Sequence, residues 1–163
     1  MKSRLILIGL ALATCSALAQ QAISSATVDE LVDKLAVPKN TTRSLRNMTP
    51  QPRKIDLTVQ FDFNSARLQE SSKPLLSTLA EAMGNERIKD LRFKVEGHTD
   101  AVGKASYNQQ LSEKRAQSVL EFVSSKGVEK DRLVAEGKGA SELLLPDKPD
   151  AMENRRVRIT TLN

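Results

Sequence analysis

The chain has 163 residues, of which 25 are Lys or Arg and 20 are Asp or Glu, giving a formal net charge of +5. Aromatic residues make up only 3% of the chain, which argues against a nucleic-acid surface built on base stacking. The mild basic balance fits weak attraction to anionic envelope polymers better. The single cysteine excludes an intrachain disulfide, so the fold has to hold without one.

Residues 1–19 have the pattern of a secretory signal peptide, with a basic start, a short apolar run and small residues before a cleavage point. These parts are Lys2 with Arg4, residues 5–13, and Ala17-Leu18-Ala19. The apolar run is shorter than the about 20 residues that a membrane-spanning helix needs. We therefore predict cleavage after Ala19, secretion to the periplasm in association with the outer membrane, and no transmembrane segment in the mature chain.

Cys15 supports an alternative, because Leu12-Ala13-Thr14-Cys15 approximates the box that precedes a lipidated cysteine. Such boxes usually have Gly, Ala or Ser directly before the cysteine, where this chain has Thr14. Ordinary signal cleavage is therefore the preferred interpretation, and it leaves the mature chain without any cysteine.

Residues 20–54 are predicted to form an N-terminal helix and a basic linker. Residues 27–37 have apolar side chains at helical spacing, and Thr27 with Glu30 forms a capping-box pattern. So short a helix needs a surface to dock onto, and the sequence leaves open whether it lies loosely on the domain or binds a partner. Residues 38–54 contain five basic residues, three prolines and no acid, which indicates an extended linker that is either solvated or in contact with anionic polymers.

The first strand and helix of the main domain follow this linker. Over residues 55–63 apolar residues alternate with polar ones, which predicts a strand with one buried face. A helix is predicted over residues 71–84, where Ser71 or Ser72 can cap the start and a glycine can end it. Its apolar stripe predicts packing into the core.

A second strand, a polar loop and a long helix come next. Alternation over residues 91–96 predicts a strand that stops at Gly97. Residues 98–103 form a polar loop flanked by glycines, which we expect to set its shape. The helix is predicted to begin near Ser106 and to end at Gly127.

The last part of the chain predicts two more strands, over residues 131–136 and 157–161. A turn at residues 137–139 and an irregular connection over residues 140–154 separate them. The predicted order is strand, helix, strand, helix, strand, strand. A helix between strands favours parallel neighbours, while the last two strands can pair antiparallel. The fold class is therefore α/β (α+β) with a mixed sheet.

Two charged residues lie around the central loop. Asp100 follows a strand directly, and Arg115 lies on the next helix about two turns past Tyr107. A loop carboxylate opposite a helical guanidinium can hold a ligand that carries both an ammonium and a carboxylate. The alternative is that the two side chains pair with each other or face solvent. The spacing alone favours this alternative, because helical arginines are mostly exposed.

Three motifs occur in a fixed order between Ile55 and Leu162. They are Val59-Gln60-Phe61-Asp62-Phe63-Asn64-Ser65, then Gly97-His98-Thr99-Asp100 with Gly103, Tyr107-Asn108, Leu111-Ser112 and Arg115-Ala116, and finally Asn154-Arg155-Arg156-Val157. Together they resemble the signature of the OmpA-like peptidoglycan-binding domain family. The ordered set is far more specific than a lone Gly-His-Thr-Asp run.

The resemblance implies a βαβαββ mixed sheet with helices packed on one face, over residues 55–163. It also implies non-covalent binding of peptidoglycan, which would tether the cell envelope to the wall. In that family the loop Asp and the helix Arg hold the diaminopimelate of the wall peptide, and they match Asp100 and Arg115 here. The resemblance therefore reverses the preference drawn from spacing alone.

Seven further residues are predicted to support this site by their positions in the motifs. They are Phe63, Asn64, Ser65, Thr99, Asn108, Asn154 and Arg155. The alternation of the first strand fits core packing of Phe63 equally well, and Arg155 is ranked below the two main residues because a role in loop structure explains it too. The chain departs from many family members at Asp150-Ala151-Met152-Glu153, where they carry Gly-Arg.

The sequence predicts neither an enzyme nor a cofactor or metal site. His98 is the only histidine, no Glu-x-x-His spacing occurs, and His98 is expected to shape the loop at the strand end. A cell-wall hydrolase is the less favoured alternative. Another alternative is an envelope adaptor or regulatory module that binds a protein partner through residues 20–54, with wall binding secondary.

Overall fold

A computed structural model describes residues 22–37 and 51–162, so the predicted signal peptide and most of the linker lie outside the described residues. The helices and strands, in chain order, are α1 Val28–Leu35, β1 Lys54–Leu57, α2 Lys73–Met83, β2 Arg92–His98, α3 Ala105–Ser125, β3 Leu133–Gly139 and β4 Val157–Leu162. The order from β1 onward confirms the predicted βαβαββ fold. Across these residues, no helix combines the length and apolarity needed to cross a bilayer.

The sheet has the strand order β1-β4-β2-β3. β2 and β3 are parallel, as expected for strands joined by a helix, and β4 runs antiparallel to both β1 and β2. The expected pairing of the last two strands is wrong, because β2 lies between β3 and β4. The helices cover the apolar face, whereas the other face carries charged and polar side chains such as Lys94, which pairs with Glu136 at 3.0 Å.

The capping box predicted for α1 is present, with the Glu30 amide donating to the Thr27 hydroxyl and the Thr27 amide donating to the Glu30 carboxylate. The apolar stripe of α1 is buried and packs against α2, and Ile23 forms a parallel bridge with Leu57. The helix therefore docks on its own chain and shares one hydrophobic core with residues 55–162. The domain boundary at residue 54 stays a prediction.

β1 is shorter than predicted, because it ends at Leu57 and not at residue 63. Its partner β4 begins at Val157, which lies opposite Leu57, so the chain beyond this point has no strand to pair with. The apolar alternation continues past the end of the ladder. Val59 is still buried beyond the ladder, whereas Phe63 is fully exposed.

Two further boundaries differ from the predictions. The hydroxyl of Ser72 does not cap α2, since it accepts a hydrogen bond from the Gln60 amide at 2.7 Å, and a 3₁₀ turn over Glu70–Ser72 precedes the helix. The turn predicted at residues 137–139 is part of β3, because pairing with β2 continues to Gly139.

α3 lies unusually close to β2 and β3, where two glycines leave room for its backbone. A Cβ added at Gly97 would be 2.1 Å from the Ser112 carbonyl oxygen, and one at Gly137 would be 2.6 Å from the Glu113 amide. Distances under about 3 Å cannot be tolerated between such atoms, so larger residues here would displace the helix. This close packing fixes Arg115, one turn further along α3, relative to the loop after β2.

Candidate ligand-binding cleft

A cleft of about 780 Å³ lies between the loop after β1, the loop after β2, the first half of α3 and the segment before β4. Its lining residues are Phe61, Asp62, Phe63, Asn64, Gln69, Thr99, Asp100, Val102, Gly103, Tyr107, Asn108, Leu111, Arg115, Asp150 and Arg155. All the predicted site residues except Ser65 and Asn154 therefore lie in the lining of this cleft.

Asp100 is held in place by both of its carboxylate oxygens. Oδ1 accepts a hydrogen bond from the Val102 amide at 3.2 Å, and Oδ2 accepts one from Arg155 Nη1 at 2.8 Å. The Ala101 amide also ties this loop to the Pro149 carbonyl at 2.9 Å. The carboxylate keeps 14% of its side-chain surface exposed, so it remains accessible to a ligand from the cleft.

Arg115 is half-buried and is anchored on one side only. Its Nε donates to the Ser65 carbonyl at 3.0 Å, and its guanidinium carbon lies 4.9 Å from the centre of the Phe61 ring. Its two Nη atoms make no hydrogen bond within the described part of the chain. Burial, and after it the charge of Arg155, lowers the pKa of Arg115 from its ordinary value. The guanidinium is therefore positioned but retains donors for a partner.

The loop after β1 is joined to α3 by a second contact. The Tyr107 hydroxyl donates to Asn64 Oδ1, and Asn64 has a positive φ of 52°, a conformation that Asn tolerates better than most residues. The Tyr107 ring is partly exposed and lines the cleft. Its position four residues from Leu111 gave no sign of this bond.

Phe63 is fully exposed and lies in the cleft wall, so the alternative of core packing is wrong. Ser65 acts through its backbone, because its carbonyl accepts from Arg115, while its hydroxyl accepts from the Arg67 amide at 3.0 Å. Phe63 therefore lines the cleft, whereas Ser65 lies outside the lining and anchors Arg115.

Asn108 and Thr99 shape the loop after β2. Asn108 Nδ2 donates to the carbonyls of Val102 at 3.0 Å and Asp100 at 3.3 Å. Thr99 is buried, its amide donates to the Gly139 carbonyl at 2.9 Å, and its hydroxyl has no partner among the described residues. The Asn108 side chain and the Thr99 backbone amide therefore hold the loop that presents Asp100.

Asn154 is fully buried and shapes the segment before β4, while Arg155 lines the cleft. Asn154 Oδ1 accepts from the Leu145 amide at 2.9 Å, and Nδ2 donates to the Lys148 carbonyl at 2.8 Å. The same segment carries Asp150 into the cleft wall, a residue that the sequence marked only as a departure from the family.

His98 lies outside the cleft lining and is buried at the end of β2. Neither ring nitrogen has a hydrogen-bond partner in the described ranges, and burial, then the charges of Arg156 and Arg158, lower its pKa to about 3. The ring is therefore neutral near pH 7. Residues 22–37 and 51–162 contain no group of three or more His, Cys, Asp or Glu side chains that could hold a metal ion.

The OmpA family matches residues 60–158, which is more than half of the chain, and the chain therefore belongs to the OmpA family. It is 38% identical over 104 residues to Outer membrane protein A from Escherichia fergusonii and from Escherichia coli O157:H7. The match covers 64% of this chain and 43% and 30% of those two proteins, so the chain spans less than half the length of either relative.

Solved structures agree with this family assignment. The peptidoglycan-associated lipoprotein from Burkholderia pseudomallei is similar with a TM-score of 0.55 and 28% identity, over 64% of this chain and 88% of that one. The periplasmic domain of Helicobacter pylori MotB, residues 78–256, has a TM-score of 0.60 and 20% identity, over 70% and 78% of the two chains. The second similarity supports the fold.

Proposed function

We propose that the cleft binds peptidoglycan non-covalently and without turnover, through the diaminopimelate of the stem peptide. Asp100 accepts hydrogen bonds from the side-chain ammonium of diaminopimelate, and the Nη atoms of Arg115 donate to the adjacent carboxylate. The observation that carries this proposal is that Arg115 is anchored by Nε alone and lines the same cleft as Asp100. Membership of the OmpA family and the likeness to a peptidoglycan-associated lipoprotein support it.

The arrangement suits a zwitterion better than a simple cation or anion. Asp100 already pairs with Arg155, so its charge is partly balanced before a ligand arrives. A ligand that brings both an ammonium and a carboxylate adds no net charge to the cleft. A guanidinium also matches the planar geometry of a carboxylate, which an ammonium cannot do.

Titration of a diaminopimelate-containing stem peptide tests this proposal. Asp100→Ala and Arg115→Ala should each lose about 2–5 kcal/mol of binding free energy, and Arg115→Lys should also bind more weakly. Arg92→Ala is the matched control, because Arg92 is exposed at the opposite end of β2 from the cleft. Its affinity should equal that of the unaltered protein.

Two further measurements test the specificity for diaminopimelate and the absence of turnover. A peptide with lysine in place of diaminopimelate should bind more weakly, because lysine lacks the carboxylate assigned to Arg115. Incubation with purified peptidoglycan should pellet the protein and release no fragments. Equal affinities for all the folded variants, or clearing of the wall in a zymogram, would contradict binding by this site without turnover.

We also propose that the protein acts in the periplasm and links the outer membrane to the wall. The predicted signal peptide and the similarity to Outer membrane protein A support this location. Mass spectrometry of the mature protein should find Gln20 at the N-terminus. A lipidated Cys15 would show instead that a lipid anchors the protein.

A further inference from the structure

A second cavity, of about 320 Å³, adjoins the cleft on the far side of two arginines. Its lining residues are Thr58, Val59, Gln60, Phe61, Gln69, Arg115, Met152 and Arg155. Four of these residues also line the main cleft, so the two cavities share a wall. The only charged residues in the lining of the second cavity are Arg115 and Arg155.

The charges on this shared wall do not balance. Arg155 pairs with Asp100 through Nη1 alone, and its other two guanidinium nitrogens make no hydrogen bond in the part of the chain that the structure describes. Its side chain is 40% exposed. Arg115 has no ion pair among the same residues. Among these residues, only Arg155 therefore has an ion-pair partner, and that partner, Asp100, lies on the side of the main cleft.

The remaining lining suits part of a peptide. Gln60 and Thr58 supply neutral hydrogen-bonding groups, and Met152, which is 71% exposed, supplies an apolar wall. Met152 stands in the segment where the chain departs from many members of its family. Neither a metal nor an ammonium fits this cavity, because no acidic side chain lines it.

We propose that the second cavity is a subsite for another carboxylate of the same stem peptide, borne by the part of the peptide that adjoins the diaminopimelate side chain, with Arg155 as its donor. This inference rests on the proposed function, since the main cleft has to hold the diaminopimelate side chain first. The carboxylate comes from one of two sources in a tripeptide stem. One is the α-carboxylate of the preceding D-glutamate, and the other is the C-terminal carboxylate.

The experiment compares four ligands by calorimetric titration into the full-length protein. They are free diaminopimelate, the tripeptide L-alanyl-γ-D-glutamyl-diaminopimelate, the tripeptide amidated at the D-glutamate α-carboxylate, and the tripeptide amidated at its C-terminus. One of the two amides should bind about tenfold more weakly than the parent tripeptide, as expected for loss of a charged hydrogen bond. The weaker amide identifies the source of the carboxylate.

Arg155→Gln separates a contact with the ligand from a role in positioning Asp100. In this variant the tripeptide and its amides should bind within about twofold of one another, because the donor is absent. Arg92→Gln removes the same charge far from the cleft and should keep the full difference between the ligands. A difference that persists in Arg155→Gln would overturn the inference, as would an equal loss for all four ligands.

Binding of free diaminopimelate distinguishes failure of the subsite from failure of the proposed function. Where free diaminopimelate binds the unaltered protein and neither amidation weakens the tripeptide, the subsite is wrong and the proposed function stands. Where neither free diaminopimelate nor the tripeptide binds, the proposed function fails and the subsite fails with it.

Discussion

Arg115 and Arg156 are both removed from bulk solvent to a large extent, but they differ in their hydrogen-bond partners. Arg156 is 1% exposed, and each of its nitrogens has an acceptor: Asp56 Oδ1 at 2.9 Å for Nε, the Asn154 carbonyl at 3.2 Å for Nη1 and the Glu142 carbonyl at 3.0 Å for Nη2. Arg115 is anchored by Nε alone. The first arginine is saturated by its own chain, and the second is not.

The acids beside these arginines differ in the same way. Asp56 is fully buried and accepts hydrogen bonds from Arg156 and also from Arg158, at 2.9 Å and 3.2 Å. Asp100 is partly exposed and has one arginine partner. A buried charge is tolerated in the fold only when its partners satisfy it, so the Asp56 cluster stabilises the protein. An arginine with free donors beside an open cleft is suited to a ligand.

The largest expected effect is on stability, from Asp56→Ala. This change leaves Arg156 buried without its carboxylate, and it should reduce the free energy of unfolding by about 3–5 kcal/mol. Asp33→Ala removes an exposed ion pair with Arg87, 2.6 Å long, and should cost less than about 1 kcal/mol. Urea denaturation measures both changes. Equal losses for the two variants would mean that the saturated cluster does not stabilise the fold.

The next largest expected effect is a loss of stability in acid, which is caused by His98 beside the Asp56 cluster. Its folded pKa of about 3 lies below the ordinary value of 6.5, so the unfolded chain binds the proton more readily. The stabilisation is therefore complete above pH 6.5 and is lost as the pH falls towards 3. At about 1.4 kcal/mol per pH unit, the loss from pH 6.5 to pH 5 is about 2 kcal/mol.

Urea denaturation at several pH values, on the unaltered protein and on His98→Leu, isolates this contribution. The variant should lose less stability than the unaltered protein between pH 6.5 and pH 5, because leucine does not titrate. Parallel pH profiles for the two proteins would show that the pKa of His98 is not lowered by burial.

The smallest effect is expected at the rim of the cleft, from Tyr107→Phe. The change leaves Asn64 Oδ1 without its donor and loosens the loop whose Ser65 carbonyl anchors Arg115. Binding of the diaminopimelate peptide should weaken by about 1 kcal/mol, with little change in unfolding. Thr78→Val removes an exposed hydroxyl on α2 and should leave the affinity unchanged. Equal affinities for both variants would exclude a role for the Tyr107 bond.

The local elements were largely predictable from the sequence. The Thr27–Glu30 capping box joins residues close together in the chain. The apolar stripe of α2 likewise depends only on the spacing of residues within one helix. The end of β1 was not predictable, because it depends on where β4 begins, about a hundred residues later. The apolar alternation continues past Leu57, where Val59 is still buried but Phe63 is exposed.

The candidate site was less predictable from residue spacing than the local elements were. The resemblance to a family pointed to Asp100 and Arg115, and the structure places both in one cleft. Spacing alone favoured the opposite interpretation, since it contains no information on the Ser65 carbonyl that anchors Arg115. The pairing of Asp100 with Arg155 and the burial of Asp56 with Arg156 join residues far apart in the chain. Such contacts appear only once the sheet is assembled.

Nuclear magnetic resonance of the arginine side chains tests the central claim most directly, because it reports on the guanidinium groups of Arg115 and Arg156 in one sample. Addition of a diaminopimelate stem peptide should shift the Nη resonances of Arg115 and leave those of Arg156 unchanged. A matched lysine peptide should leave the Arg115 Nη resonances nearly unmoved at the same concentration. Unchanged Arg115 Nη resonances on saturation with the diaminopimelate peptide would contradict the account.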